Sequence, residues 1–247
     1  MTLENWMKEN GFVAYKVFSA TDASDLDTGW TDPSKFSIEG VVFYDGGEMT
    51  LFTDSVHQLL VKDKKTKTRG LDRLEEWIGI RFHPKKGPFT LIGYGSRKFD
   101  APLLRHNFDF PGIVPDIDLS EIVADASRNH YGDYGRRYEI RSLAVLNRNK
   151  QSAIPHLSFL MRPIELLSEW KRGLARSVLK TLAAEVELIA GLFCSIVVKE
   201  ELTITDERTE RPASIQCDFV RDLDIYRFRG EDEDPLTLAY KQRLEEE

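Results

Sequence analysis

"LIGYGSRKFDAPLL", residues 91 to 104, runs from an apolar segment through Gly93 and Gly95 to an acid, Asp100, set between Phe99 and a second apolar stretch. Bounded by Pro88 and the glycines, "FTLIGYG" reads as a short buried strand, and "SRKFDAPLLRHNF" as the strand end passing into a helix. An acid at that junction has two readings. It is the N-cap of the helix "APLLRHN", with Pro102 in the first turn, or it is a carboxylate kept for a ligand.

Upstream, "TLENWMKEN" reads as a short helix with Thr2 as its cap and Gly11 at its stop. "FVAYKVFSA" alternates like a strand, and "KFSIEGVVFYDGGEMTLFTD" reads as two strands around an Asp-Gly-Gly turn. Three consecutive strands are therefore expected in the first 54 residues. Leu71, Leu74, Trp77 and Ile78 then keep a helical period, preceded by the basic segment "KDKKTKTRG", which reads as an exposed loop. Downstream, "GIVPDIDLSEIVADASRN" repeats the strand-to-helix pattern, which makes the order βββαβαβα. "EIRSLAVLNRN" and the long segment from Ile164 to Val198 are helical, the latter keeping Leu174, Val178, Leu182, Val186, Ile189 and Phe193 on one face. The last 50 residues change texture: "IVVKEELTIT" and "ASIQCDFVRDLDIYRFRG" alternate like strands, and "EDEDPLTLAYKQRLEEE" is strongly charged.

Composition narrows the chemistry. The chain has 247 residues and a net charge of −7, but Asp206 to Glu247 hold 13 acids and 7 bases, so that tail carries −6 of it. The body is nearly neutral, and overall acidity does not exclude a nucleic-acid ligand. No apolar run reaches 18 residues, and the acidic start "MTLENWMKENG" lacks a signal core, so a soluble cytoplasmic protein without membrane contact is expected. Cys194 and Cys217 have no second Cys or His at metal-ligand spacing and read as small hydrophobes. The five histidines form no spaced pair, and "GYGSRK" lacks the spacing of a phosphate loop.

The stretch around Asp100 resembles the second signature of the DnaQ-like, or DEDD, 3′–5′ exonucleases, in which an apolar strand leads to "FD" and an apolar pair. "DIDLSEIV", "YEIRSLAVL" and "WKRGLARSVLKTLAAEVELIAGLF" are similar, in order, to segments leading to the family's third signature, and the likeness spans about residues 12 to 195. It implies an α/β, RNase H-like domain at 1–195, a mixed sheet flanked by helices, with a C-terminal β-containing extension and acidic tail at 196–247. It also implies two Mg²⁺ or Mn²⁺ ions held by four acids, since hard cations need carboxylate oxygens. On the best alignment Ser19 and Thr21 stand where the first two acids belong, Asp100 matches the third, and Glu185 matches the last. Thr181 takes the place of the water-orienting Tyr, Lys180 that of the alternative His, and Gly95 that of an Asn. The bland alternative for Glu185 is a surface acid on a helix. A later strand end would bring Asp22, Asp25 or Asp27 into reach, and Glu39 could approach from the second strand, although turn formation is the usual reason for such loop acids.

For nucleic-acid contact the residues are Arg97, Lys98, Arg136, Arg137 and Tyr138, with Arg141 and the "KDKKTKTR" segment. Tyr131, Tyr134 and Tyr138 interleave with arginines as in surfaces that stack bases, the alternative being a solvated loop with core tyrosines. Three functions are therefore carried forward. One is an exonuclease-like protein that binds single-stranded DNA or RNA with catalysis impaired, and another an active Mg²⁺- or Mn²⁺-dependent exonuclease with misaligned ligands. The third is a protein–protein scaffold whose acidic tail meets a partner.

Overall fold

A computed structural model describes residues 7–22, 32–58, 66–86, 89–111, 114–131, 138–146, 161–206, 209, 211–217 and 227–228. Thr2, Asp25, Asp27, Tyr134, Arg136, Arg137 and the tail from residue 229 lie outside them. β1 (Phe12–Ser19), β2 (Ile38–Tyr44) and β3 (Met49–Thr53) form the expected antiparallel meander. Its β2–β3 turn is closed by Asp45, whose carboxylate accepts the N–H groups of Gly47 and Glu48 while Gly46 takes a φ of 90°. A single turn, α1 (Ser55–Gln58), leads to β4 (Thr66–Gly70).

β4 corrects the sequence expectation, because "TKTRG" is a strand rather than a loop, paired parallel with β3 from Met49↔Thr66 to Thr53↔Gly70. It lies at the edge of the sheet. Lys67 and Arg69, the charged residues in the alternating row, are exposed, and charge on an edge strand discourages a second chain from pairing there.

The chain continues through α2 (Leu74–Arg81), β5 (Thr90–Gly93), α3 (Asp100–Asn107), β6 (Asp116–Asp118), α4 (Leu119–Tyr131), α5 (Ile140–Leu146), α6 (Pro163–Lys171) and α7 (Ala175–Lys199). The long helical segment is thus two helices. Gly173, at φ 79°, breaks it, and Leu174 lies in the break, 42% exposed rather than on the apolar face. β7 (Glu201–Asp206), β8 (Arg211–Gln216) and β9 (Arg227–Phe228) complete the described elements.

The sheet order is β4-β3-β2-β1-β5-β6-β9. Within its central five strands, β3-β2-β1-β5-β6, only β2 runs against the others. That is the RNase H-like arrangement, and β4 and β9 extend it at either edge. β7 and β8 pair separately as a hairpin, whose Leu202, Ile204 and Ile215 bury into the helical side of the core. Among the described residues no helix is long and apolar enough to cross a membrane. Cys217 is buried and Cys194 partly so.

Alternation along β1 divides the core. Val13, Tyr15 and Val17 face the layer that includes Leu74 and Ile78 of α2 and Leu103 and Leu104 of α3. Phe12, Ala14 and Phe18 face the layer of α4 to α7. Lys16 belongs by period to the second row, a charge among apolar neighbours. α7 packs over Gly40 of β2, where a Cβ would lie 3.1 Å from Leu179 Cδ2 and 3.4 Å from Leu182 Cδ1. That approach brings the middle of α7, and with it Glu185, over the end of β1.

Candidate functional site

The site forms where the sheet opens. β1 and β5 pair in parallel from Phe12↔Thr90 to Ala14↔Ile92, and β5 ends one residue later at Gly93. Beyond that point the flank of β1 facing β5 needs other partners for its backbone. Asp100, first residue of α3, supplies one: its Oδ1 accepts the Val17 N–H at 3.3 Å, and its Oδ2 accepts from Lys16 Nζ at 2.8 Å. Asp100 is 1% exposed. The residue preceding the helix is Phe99, which makes no side-chain cap, so Asp100 serves β1 rather than standing as the cap residue.

From α7, Glu185 places Oε1 3.7 Å from the same Lys16 Nζ, which is 20% exposed. One ammonium thus faces two carboxylates from two helices. Burial works against the charge on Lys16, but Asp100 and Glu185 outweigh it and hold its pKa above the usual lysine range. Burial lifts Asp100 from 3.8 to about 6, and the lysine charge limits the rise while Glu185 adds to it.

Two further acids hold the connection that delivers Asp100. On β6, Asp118 Oδ1 accepts the Gly95 N–H at 2.7 Å and the Ser120 N–H at 2.9 Å, and Oδ2 accepts the Arg97 N–H at 3.1 Å. Asp116, on the same face of the strand, receives the Tyr15 hydroxyl at 3.0 and 3.1 Å and the Ser96 hydroxyl at 3.1 Å to each oxygen. Gly95 turns the chain at φ 66°, and Ser96 packs over Gly93, where any Cβ would overlap it.

Asp116 is fully buried, and burial first, then the charge of Asp118, raises its pKa from 3.8 to about 7, against the lowering hydroxyl of Tyr15. The folded state therefore favours the protonated form. This contribution is complete below about 3.8 and is lost as pH rises through about 7. Asp100 contributes with the same sign up to about 6. Asp116→Asn keeps the shape and removes the titration, so the variant should gain on the wild type in stability by roughly 4 kcal/mol between pH 4 and pH 8. Urea unfolding at the two pH values measures this, and parallel pH profiles of the two proteins would refute it.

The other sequence-derived residues divide clearly. Ser19 Oγ accepts the Thr21 N–H at 3.1 Å, and Thr21 Oγ1 accepts the Ser37 N–H at 3.2 Å, so both serve the turn after β1. The β1 side chain facing Asp100 and Glu185 is Lys16, three residues before Ser19, which corrects the placement of Ser19 and Thr21 there. Asp22 pairs with Lys171 at 3.4 Å, and Glu39 accepts from Ser37. Thr181 is buried and donates to Ser177 O one turn back, while Lys180 is exposed. Arg97 is 10% exposed and bonded to Glu121 Oε2 at 2.6 Å, leaving Lys98 as the exposed base of that pair. Tyr138 packs against the helical core, and its carbonyl accepts the Tyr94 hydroxyl.

Lys16, Asp116 and Asp118 were missed by motif comparison. Their signal was present in simpler form: "FVAYKVFSA" puts one lysine in an otherwise apolar strand, and "DID" puts two acids on one face of a strand between buried segments.

No family model matches the chain, and no curated protein matches it. Among solved structures the chain is similar to Brucella melitensis NrnC with bound Mg²⁺, at 17% identity over 73% of this chain and 86% of that one, with a TM-score of 0.31. A second structure of Brucella melitensis NrnC gives 18% identity, 76% and 88% coverage, and a TM-score of 0.30.

The sequence resemblance implies a pair of divalent ions held by carboxylates at this place. Among the described residues, no three His, Cys, Asp or Glu side chains stand where they could hold a metal ion. Asp100 and Glu185 instead hold an ammonium. The described residues do not fit a two-metal centre.

Proposed function

We propose that this protein is a DnaQ-like exonuclease relative that engages single-stranded nucleic acid without hydrolysing it. The observation that carries the reading is Lys16 Nζ lying 2.8 Å from Asp100 and 3.7 Å from Glu185, the two acids on which metal-assisted hydrolysis would depend. The three charges sum to −1, and both acids are engaged in neutralising a cation. Neither is free to raise a water nucleophile, and Thr181, in the water-orienting position, is tied to its own helix.

The test is incubation of end-labelled single-stranded DNA and RNA with the protein in Mn²⁺ and in Mg²⁺. The expected result is no ladder from the 3′ end, with salt-sensitive retention of the strand on the protein. A ladder that Asp100→Ala abolishes would replace this reading with an active exonuclease.

A second reading, a partner-binding scaffold, is favoured by the commitment of Arg97 to Glu121 and of Tyr138 to the core. These contacts leave Lys98, with Lys67 and Arg69 of β4, as the exposed bases of the proposed contact set among the described residues. Absence of both cleavage and salt-dependent binding selects the scaffold, with the acidic tail as the surface for a basic protein.

A further inference from the structure

Lys16, Asp100 and Glu185 belong to β1, α3 and α7, elements that meet at the point where β1 and β5 part. Two carboxylates brought together in a largely buried place repel one another, and each loses hydration. Something positive must lie between them. The chain supplies it from an apolar row of β1: Lys16 stands in the strand between Ala14 and Phe18 of that row, and its ammonium reaches both acids. The Val17 N–H adds a partial charge on the same side of Asp100.

We propose that Lys16 is a tethered replacement for a divalent cation, fastening α3 and α7 to β1 and making the fold independent of metal ions. The inference rests on the same lysine as the functional reading but concerns stability rather than cleavage. A dissociable ion would hold the two helices only at sufficient concentration and would leave under chelation. An ammonium carried on β1 is present at every concentration. It also offers three N–H donors instead of an open coordination sphere, so it satisfies the acids without admitting a water or substrate oxygen as a further ligand.

Exchange of the ammonium for a third carboxylate should turn the position into a metal site. Lys16→Asp would set acids from three elements around the space of the ammonium, a donor set suited to a hard cation completed by water. The experiment follows thermal unfolding of the full chain by circular dichroism in EDTA, in MgCl₂ and in MnCl₂, with Mn²⁺ binding read on the same samples by electron paramagnetic resonance.

The wild-type midpoint should move by less than about 1 °C between EDTA and Mn²⁺, and Mn²⁺ should remain free. Lys16→Asp should melt lower in EDTA and gain roughly 5–10 °C when Mn²⁺ is at about a hundred times its dissociation constant, with one ion bound. Glu185→Ala added to Lys16→Asp should abolish the gain. A wild-type midpoint that rises with Mn²⁺ and loses the rise in Asp100→Asn would overturn the proposal, as would a folded Lys16→Asp that neither shifts nor binds. Should Lys16→Asp be unfolded in EDTA, refolding from urea in MnCl₂ decides: recovery of native ellipticity supports the proposal, and failure to recover counts against it. The two readings fail separately. Metal-dependent stability of the wild type without strand cleavage overturns this inference alone, and cleavage with a metal-independent midpoint overturns the functional reading alone.

Discussion

Lys16→Met should lower the stability at pH 8 by about 3–5 kcal/mol, the cost of leaving a buried ion-pair partner uncompensated. Methionine retains the apolar stem but removes the proton donor 2.8 Å from Asp100 Oδ2, while Glu185 remains nearby. Asp100 is 1% exposed and keeps the Val17 N–H among the described residues, so its anion becomes costly. The defect should shrink as pH falls from 8 towards about 6, because the variant, without the lysine charge that lowers the Asp100 pKa, takes up the proton at a higher pH than the wild type, and it should level off below about 6, where both carboxyls titrate. Joining Lys16→Met to Asp100→Asn should recover most of the loss. Urea denaturation of the four proteins forms the double-mutant cycle that measures it. If the two changes simply add at pH 8, the pair is not coupled and the account of the site fails.

Gly93→Ala should cost about 3 kcal/mol or more, although it adds a single methyl group. A Cβ at this position would lie 2.2 Å from Ser96 Cβ, 2.5 Å from Ser96 Oγ and 3.3 Å from Tyr15 Cε1. Ser96 cannot retreat without giving up Asp116, and the backbone on either side is held by Asp118 through Gly95 and Arg97. Ser96→Gly in the same chain removes the overlapping atoms, so it should restore part of the loss despite deleting a hydrogen bond. An unchanged unfolding midpoint for Gly93→Ala would mean that the Ser96 turn shifts freely. Gly95→Ala makes a useful contrast: no atom lies within 4 Å of its Cβ, and its cost is that of φ 66° alone.

The order of elements was legible because each has a local cause. "FVAYKVFS" alternates, Asp45 with two glycines closes a hairpin, and "TLIG" followed by Gly95 is a buried strand leading into a turn. Where local signals misled, a neighbour had the decisive say. "TKTRG" carries the charge of a loop but is held as a strand by β3. Leu174 fits the apolar period, but the break at Gly173 throws it into solvent. A period counted through a break assigns faces that the chain does not keep.

The site was read less well for the same reason. Asp100 and Glu185 stand out by position, 85 residues apart, and the structure brings both to Lys16. The motif alignment sets Ser19 and Thr21 in the first two acid positions, but the register of β1 shifts between Phe18 and Ser19, and their hydroxyls close the following turn. Arg97 reads as a surface base from composition, yet Glu121 of α4 claims it.

Residue order sets the strand and helix types, the apolar rows of β1 and the presence of acids where β5, β6 and α7 can bring them together. Those are local properties, written in periods of two and of three to four residues. Which charge meets which is settled only when α7 crosses over Gly40 and α3 starts one turn beyond Gly93. Electrostatic partnership depends on distance through space rather than along the chain, and burial magnifies it. For that reason a lysine in the middle of an apolar strand becomes, in the folded protein, the cation of its own acidic site.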